Sequence, residues 1–263
     1  MRANAMREIW AKDGWVLNTW LSTDSPFAAQ VMAHQGFDTV TVDLQHGIAD
    51  YSQAGAMLNA IHTTDATAIV RVPWLEPGII MKVLDAGAQG VICPMINTPE
   101  DARALVAACR YAPLGRRSFG PTRALFVHGP DYPAQANGDI VAFAMIETRQ
   151  ALDNLDAIVA TPGLDALYIG PADLALSLGH QPGLDPTATE VMTAIEQILS
   201  AAHGAGLKAA IHTGEPAYAR SMLAKGFDMV TIGSDVRFLA QAGKATVGTM
   251  RGEPIQRPAE PSY

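Results

Sequence analysis

Four short segments each end an apolar run on a residue able to do acid–base or metal chemistry. Val42-Asp43-Leu44-Gln45-His46-Gly47 delivers an imidazole, and Val70-Arg71-Val72-Pro73-Trp74 delivers a guanidinium. Met145-Ile146-Glu147-Thr148 and Ile169-Gly170-Pro171-Ala172-Asp173 each deliver a carboxylate. Two carboxylates on neighbouring strand ends would hold a hard divalent ion and leave most of its roughly six positions open. Open positions suit a ligand that chelates through two oxygens, such as a 2-oxo acid. The turn from Gly170 to Asp173 aims the amides of Ala172 and Asp173 at the same place, a seat for a carboxylate. Arg71 would set a fixed positive charge beside a developing enolate oxygen. His46 supplies an imidazole, the side-chain type best suited to moving protons in acid–base catalysis. The parts add up to metal-assisted enolate chemistry.

Each residue also has a plain structural reading. His46 could be a hydrogen-bonded loop histidine, Arg71 an ion-pair partner of Asp43, and Glu147 a solvated acid. Asp173 could simply start a helix over Leu174–Leu178, where a carboxylate suits the helix dipole. Four such groups on one mouth favour a site over four coincidences. A Schiff-base lysine is the rival route to carbon–carbon chemistry. The lysines are Lys12, Lys82, Lys208, Lys225 and Lys244, and none ends a strand; Lys208 begins one.

The elements that must position these groups are legible as short, nearly continuous apolar runs, as expected of parallel strands covered on both faces. They are Val16–Leu21, Thr39–Leu44, Ala68–Val72, Gly90–Pro94, Val141–Ile146, Ala166–Ile169, Ala209–His212 and Met229–Ile232. Helical segments lie between most of them. Thr98 is a fitting N-cap with Pro99 in the first turn, and a second helix is expected from Asp185-Pro186 to Ala202. Gly36-Phe37-Asp38-Thr39-Val40 is echoed by Gly226-Phe227-Asp228-Met229-Val230, each reading as a helix stop, a tight step and a buried strand. In a chain of 263 residues this repeated unit predicts one (β/α)₈ barrel over residues 1–251, with its chemistry at the carboxyl ends of the strands. The Gly- and Pro-rich stretch Arg116–Asp139 is expected to be a long functional loop. The Pro-containing tail, 252–263, is expected to be extended.

Composition narrows the function classes. With 18 Lys and Arg against 26 Asp and Glu, the net charge of −8 speaks against nucleic-acid binding and against an anionic membrane surface. Two cysteines, Cys93 and Cys109, make no disulfide framework and read as reduced, buried thiols. The N-terminus lacks the apolar core of a signal peptide, and no apolar run approaches the about 18 residues that span a bilayer. A cytoplasmic protein is the expectation.

Taken with Leu84-Asp85-Ala86-Gly87-Ala88-Gln89-Gly90, the four motifs, in this order from about residue 15 to 250, resemble the HpcH/HpaI family of class II pyruvate aldolases. The resemblance implies a TIM barrel of the phosphoenolpyruvate/pyruvate superfamily type. It implies reversible cleavage of a 4-hydroxy-2-oxo acid, such as 4-hydroxy-2-oxoheptanedioate, to pyruvate and an aldehyde. By position, Glu147 and Asp173 match the ligands of a divalent ion (Mg²⁺, Mn²⁺ or Co²⁺), His46 the catalytic base, and Asp85 the carboxylate that supports it. Arg71 matches the transition-state stabiliser, and Gly170, Ala172 and Asp173 with Met145 the substrate contacts. Met145 stands where some members have Gln, and Gln45 where others have Glu. The family's hexamer, a trimer of dimers that exchange a C-terminal helix, would give the apolar stretch around Val236–Ala245 a partner. Two other readings stand beside this one. An acyl-CoA lyase of the citryl- or malyl-CoA type would need Arg116, Arg117 and Arg123 for the CoA phosphates. A non-catalytic 2-oxo-acid sensor would need no base. His212 and Thr213, with Arg123, are candidates to meet the aldehyde tail.

Overall fold

The computed structural model describes residues 4–252. Eight parallel strands close into a barrel in sequence order: β1 (Val16–Leu21), β2 (Thr39–Asp43), β3 (Thr67–Arg71), β4 (Gly90–Cys93), β5 (Val141–Ile146), β6 (Ala166–Ile169), β7 (Lys208–Thr213) and β8 (Met229–Ser234). Their positions agree with the sequence expectation to within two residues at each end. Alternation along each strand separates two cores, because successive side chains point to opposite faces. Inward positions such as Trp20, Ile69, Ile92, Phe143, Met145, Tyr168 and Ala210 fill the barrel itself. Outward positions such as Val42, Val70, Val91, Ile146 and Ile169 pack beneath the helices. Each fully buried large apolar side chain stabilises the fold by about 1.5–3 kcal/mol.

The first helices are α1 (Ala5–Trp10), α2 (Pro26–Ala33), α3 (Tyr51–Ile61), α4 (Pro77–Asp85) and α5 (Pro99–Cys109). Next come α6 (Thr122–His128), α7 (Tyr132–Asp139), α8 (Arg149–Asp153) and α9 (Leu155–Val159). The last are α10 (Pro171–Ser177), α11 (Thr189–Gly204), α12 (Pro216–Lys225) and α13 (Asp235–Arg251). Met6 and Trp10 of α1 join the inner core and plug the amino end of the barrel. Thr98 caps α5 as expected: its Oγ1 accepts the Asp101 amide at 3.1 Å, and the Asp101 carboxylate accepts the Thr98 amide at 2.9 Å.

The sequence echo has a structural cause. Gly36 and Gly226 take φ of +92° and +107°, the left-handed region that favours glycine. The aspartate two residues later then ties to the preceding strand: Asp38 accepts the Leu17 amide at 2.8 Å, and Asp228 the Ala209 amide at 2.9 Å. Asp165 does the same for Ala142 at 2.8 Å. Each carboxylate sets the register of one αβ step.

Two expectations need correction. Residues 116–139 are not an open loop but carry α6 and α7, and they connect the end of α5 to the start of β5. Barrel helices run antiparallel to the strands, so this connection lies at the amino end, away from the expected chemistry. The helix expected from Asp185 begins instead at Thr189, because the Asp185 carboxylate accepts the Gly214 and Glu215 amides at 2.6 and 2.8 Å. Of the tail 252–263, Gly252 ends α13 in the left-handed conformation; residues 253–263 lie outside the described residues. No described helix is long and apolar enough to cross a membrane. Cys93 and Cys109 are free and fully buried, and burial pushes both thiols up, Cys109 to about 12.

Candidate active site

A cavity of about 440 Å³ opens at the carboxyl ends of the strands, within the range of small-molecule sites. The ends of β2 and β3 build one wall. Arg71 is buried and gripped at two points by Asp43, Nε to Oδ1 at 2.8 Å and Nη2 to Oδ2 at 2.7 Å. The Trp20 ring covers the guanidinium with its centroid 4.0 Å from Cζ. That pair leaves Nη1 of Arg71 unclaimed beside the cavity. Burial by itself would raise the Asp43 carboxyl; Arg71 and the Gln45 and His46 amides outweigh it and hold the carboxyl below its ordinary range. The ion pair and the site reading of Arg71 therefore coexist. His46 stands past the end of β2, exposed at the cavity rim, with its amide donating to Asp43 Oδ1 at 3.4 Å.

The opposite wall comes from β5 and β6. Met145, Gly170, Ala172 and Asp173 line it. No side chain caps the N-terminus of α10, and Ala172 and Asp173 in its first turn line the cavity. Glu147 is buried behind them. Met95, at φ +56°, turns its amide to donate to Glu147 Oε1 at 2.8 Å. A Cβ on Gly170 would fall 2.3 Å from Glu147 Oε2 and 2.7 Å from Met145 Cε, so only glycine admits the carboxylate here. Burial drives the Glu147 carboxyl up to about 7; the Met95 amide opposes this and the Asp173 charge adds to it.

These two carboxylates fit a divalent ion. A buried acid with its pKa driven so high beside a second acid is a pair short of one positive charge. Oxygen donors suit a hard cation, and two of them leave room for a chelating substrate. Among the described residues no group of three or more His, Cys, Asp or Glu gathers as a metal cage. The cavity lining contains no lysine, and Lys208 starts β7 paired to Asp228 at 2.7 Å.

Asp85 is not brought to His46 within this chain. It ends α4 on the amino side of the barrel and accepts from Arg117 Nη2 at 2.6 Å. Burial raises the Asp85 carboxyl above its usual value, against the pull of Arg117. Arg117 is itself buried with the Tyr132 hydroxyl 3.0 Å away. Arg123, on α6, donates to Asn59 Oδ1 at 3.0 Å and to the Ala86 carbonyl. Arg117 and Arg123 are thus engaged in the amino-end layer, while Arg116 beside them is exposed.

His212 does reach the cavity, whereas its neighbour Thr213 turns away and donates to the Thr231 carbonyl at 2.7 Å. Trp20 packs edge-on to the His212 ring at 4.7 Å, and the Tyr168 hydroxyl lies 3.4 Å from its Nδ1. Burial, followed by the nearby Arg71 charge, drives the imidazole down to about 3, so it is neutral. Sequence reasoning passed over Trp20, Tyr168 and Arg237 as site residues. The inward series Val16-Asn18-Trp20 was a readable signal for the first. For Arg237 there was none, since it lies beyond a strand end on a helix.

Known proteins resemble this chain along most of its length. The family model described as HpcH/HpaI aldolase/citrate lyase matches residues 17–242. A hydroxypyruvate/pyruvate aldolase from Rhizorhabdus wittichii is 42% identical over 248 residues, covering 94% of this chain and 99% of its own. A 2-dehydro-3,6-dideoxy-6-sulfogluconate aldolase from Pseudomonas putida is 30% identical, covering 94% and 97%. A crystal structure of a HpcH/HpaI aldolase/citrate lyase family protein from Burkholderia cenocepacia superposes with a TM-score of 0.85 at 33% identity, covering 94% of this chain and 98% of that one.

Proposed function

The chain belongs to the HpcH/HpaI aldolase/citrate lyase family and is a carbon–carbon lyase of the class II aldolase type, and from that premise we propose that its cavity cleaves 4-hydroxy-2-oxo acids to pyruvate and an aldehyde. The observation that carries this is that the clamped Arg71 and Asp173 line one cavity, with the buried carboxylate of Glu147 packed directly behind Gly170 of the same wall. A divalent ion such as Mg²⁺, Mn²⁺ or Co²⁺, held by Glu147 and Asp173, would supply Lewis-acid stabilisation of charge on the 2-oxo oxygen.

The protein's own groups do the rest. The Ala172 and Asp173 amides seat the substrate carboxylate, and Gly170 leaves space for it. Arg71, fixed in plane by Asp43 and Trp20, donates Nη1–H to the 2-oxo oxygen as negative charge grows there. His46 at the rim takes the proton of the 4-hydroxyl, the C3–C4 bond breaks, and the electron pair passes into the enolate of pyruvate. The aldehyde leaves and C3 is protonated. Met145 contributes an apolar contact where a glutamine would hydrogen-bond.

The barrel is a single domain over residues 1–251 in this reading, acting in the cytoplasm. It assembles with further copies of itself, a hexamer by family resemblance. Exposed Val236, Leu239, Val247 and Met250 on α13 support that, since a lone helix seldom presents such a face to water. The test is pyruvate release from 4-hydroxy-2-oxoheptanedioate and related acids by metal-stripped protein, with and without Mn²⁺ or Mg²⁺. Release only with metal, unaffected by borohydride, is expected. No release from any such acid with any metal overturns the reading.

A further inference from the structure

Arg237 is a second guanidinium on the cavity wall, and the chemistry above leaves it unused. Its position is fixed. Ser234 caps α13 by accepting the Arg237 amide at 3.4 Å, and buried Asp235 accepts the Ser22 amide at 2.8 Å along with the Thr23 hydroxyl. Closure of β8 on β1 thus holds the first turn of α13 over the mouth. The Arg237 side chain is only 18% exposed, yet its ion pair with Glu215 is long, 3.7 Å, and Glu215 is 55% exposed. This contrasts with Arg71, whose carboxylate grips it at two points. Arg237 keeps its donors for something else.

The surroundings say what that is. With the 2-oxo acid end of the substrate at Ala172, Asp173 and Arg71, the departing half must lie along the β7–β8 side. Gly214 and Gly233 line that side without side chains. Arg237 Nη1 stands 3.4 Å from the Cβ position of Gly214, beside the Asp185 carboxylate, whose oxygens are taken by the Gly214 and Glu215 amides. The neighbouring His212 is neutral, so Arg237 brings the positive charge to this wall. Exchanging a long, solvent-exposed ion pair for a charged hydrogen bond inside the cavity costs little and gains more.

We propose that Arg237 binds an anionic group on the aldehyde half of the substrate, so that the enzyme selects 4-hydroxy-2-oxo acids whose far end carries a carboxylate. This rests on the aldolase reading, and the experiment separates the two. Aldol addition of pyruvate is measured to 4-oxobutanoate and to butanal, its uncharged four-carbon counterpart, for the wild type, Arg237→Gln and Arg237→Lys. Exchange of the pyruvate C3 protons with deuterated water is followed in the wild type. The wild type should favour 4-oxobutanoate. Arg237→Gln should lower kcat/KM for that aldehyde by about 10- to 100-fold, mainly through KM, and abolish the preference, while Arg237→Lys keeps part of it. Proton exchange without charge preference, or equal losses on both aldehydes, overturns the role of Arg237 and leaves the aldolase standing. Absence of both exchange and addition overturns the aldolase reading and this inference with it.

Discussion

Arg71 and Asp43 sit opposite each other on adjacent strands, in register, and meet through two hydrogen bonds of 2.8 and 2.7 Å beneath the Trp20 ring. A guanidinium this buried is tolerated because its counter-charge is fixed at both nitrogens. The same clamp leaves one edge of Arg71 for the substrate, so structure and chemistry share one pair.

Asp43→Ala should therefore cost more than a surface change. Removing one partner strands a buried charge, at about 3–5 kcal/mol. Urea unfolding of the variant reads this directly. Loss of less than about 1 kcal/mol, the range of an exposed pair, would mean that Arg71 is far more solvated than the geometry shows.

Gly170→Ala should weaken metal binding while the protein stays folded. Its φ of −95° suits alanine, so the added methyl harms only by meeting Glu147 and Met145. Titration with Mn²⁺ should show a weakening of about tenfold or more beside a near-native far-UV spectrum. Undiminished affinity would place the ion elsewhere.

His212 should make stability fall as the solution is acidified, while Glu147, raised to about 7 in the fold, works in the opposite direction above about 4.5. His212 is held to about 3 in the fold against about 6.5 when unfolded, so between those values the unfolded chain binds the extra proton. The slope this adds is at most about 1.4 kcal/mol per pH unit. Asp43, held below its ordinary range, acts in the same direction at lower pH. His212→Phe should lower the slope of stability against pH relative to the wild type between pH 4 and pH 6; an unchanged slope would show that the imidazole titrates freely.

Neither thiol should react in the native state. Cys93 and Cys109 are wholly buried, and their raised pKa values leave almost no thiolate at neutral pH. A disulfide reagent should label both in urea and neither in buffer. Native labelling would reveal local opening of β4 or α5.

The strands were legible because burial on both faces writes an apolar run, and a run that ends in a polar residue marks a strand end. That is how the sequence alone assigns His46, Arg71, Glu147 and Asp173 to one mouth. Asp85 and Arg123 followed a weaker rule. Their motifs carried no strand end, and position in the helix–strand order sends both to the amino face. Asp85 precedes the Gly87 helix stop, and Arg123 lies between α5 and β5, so the order itself places both on that face.

The sequence by itself determined the period-2 and period-3.6 patterns, the eight αβ units and the set of polar strand ends. These depend on neighbours within a few residues, where hydrophobic spacing and turn chemistry act. Tertiary structure alone decided the pairing of Arg71 with Asp43 under Trp20, the depth of Glu147 behind Gly170, and the arrival of Arg237 at the mouth. Those relationships join residues on different strands across the closed barrel. They are set by register, shear and close approach, which no local pattern encodes.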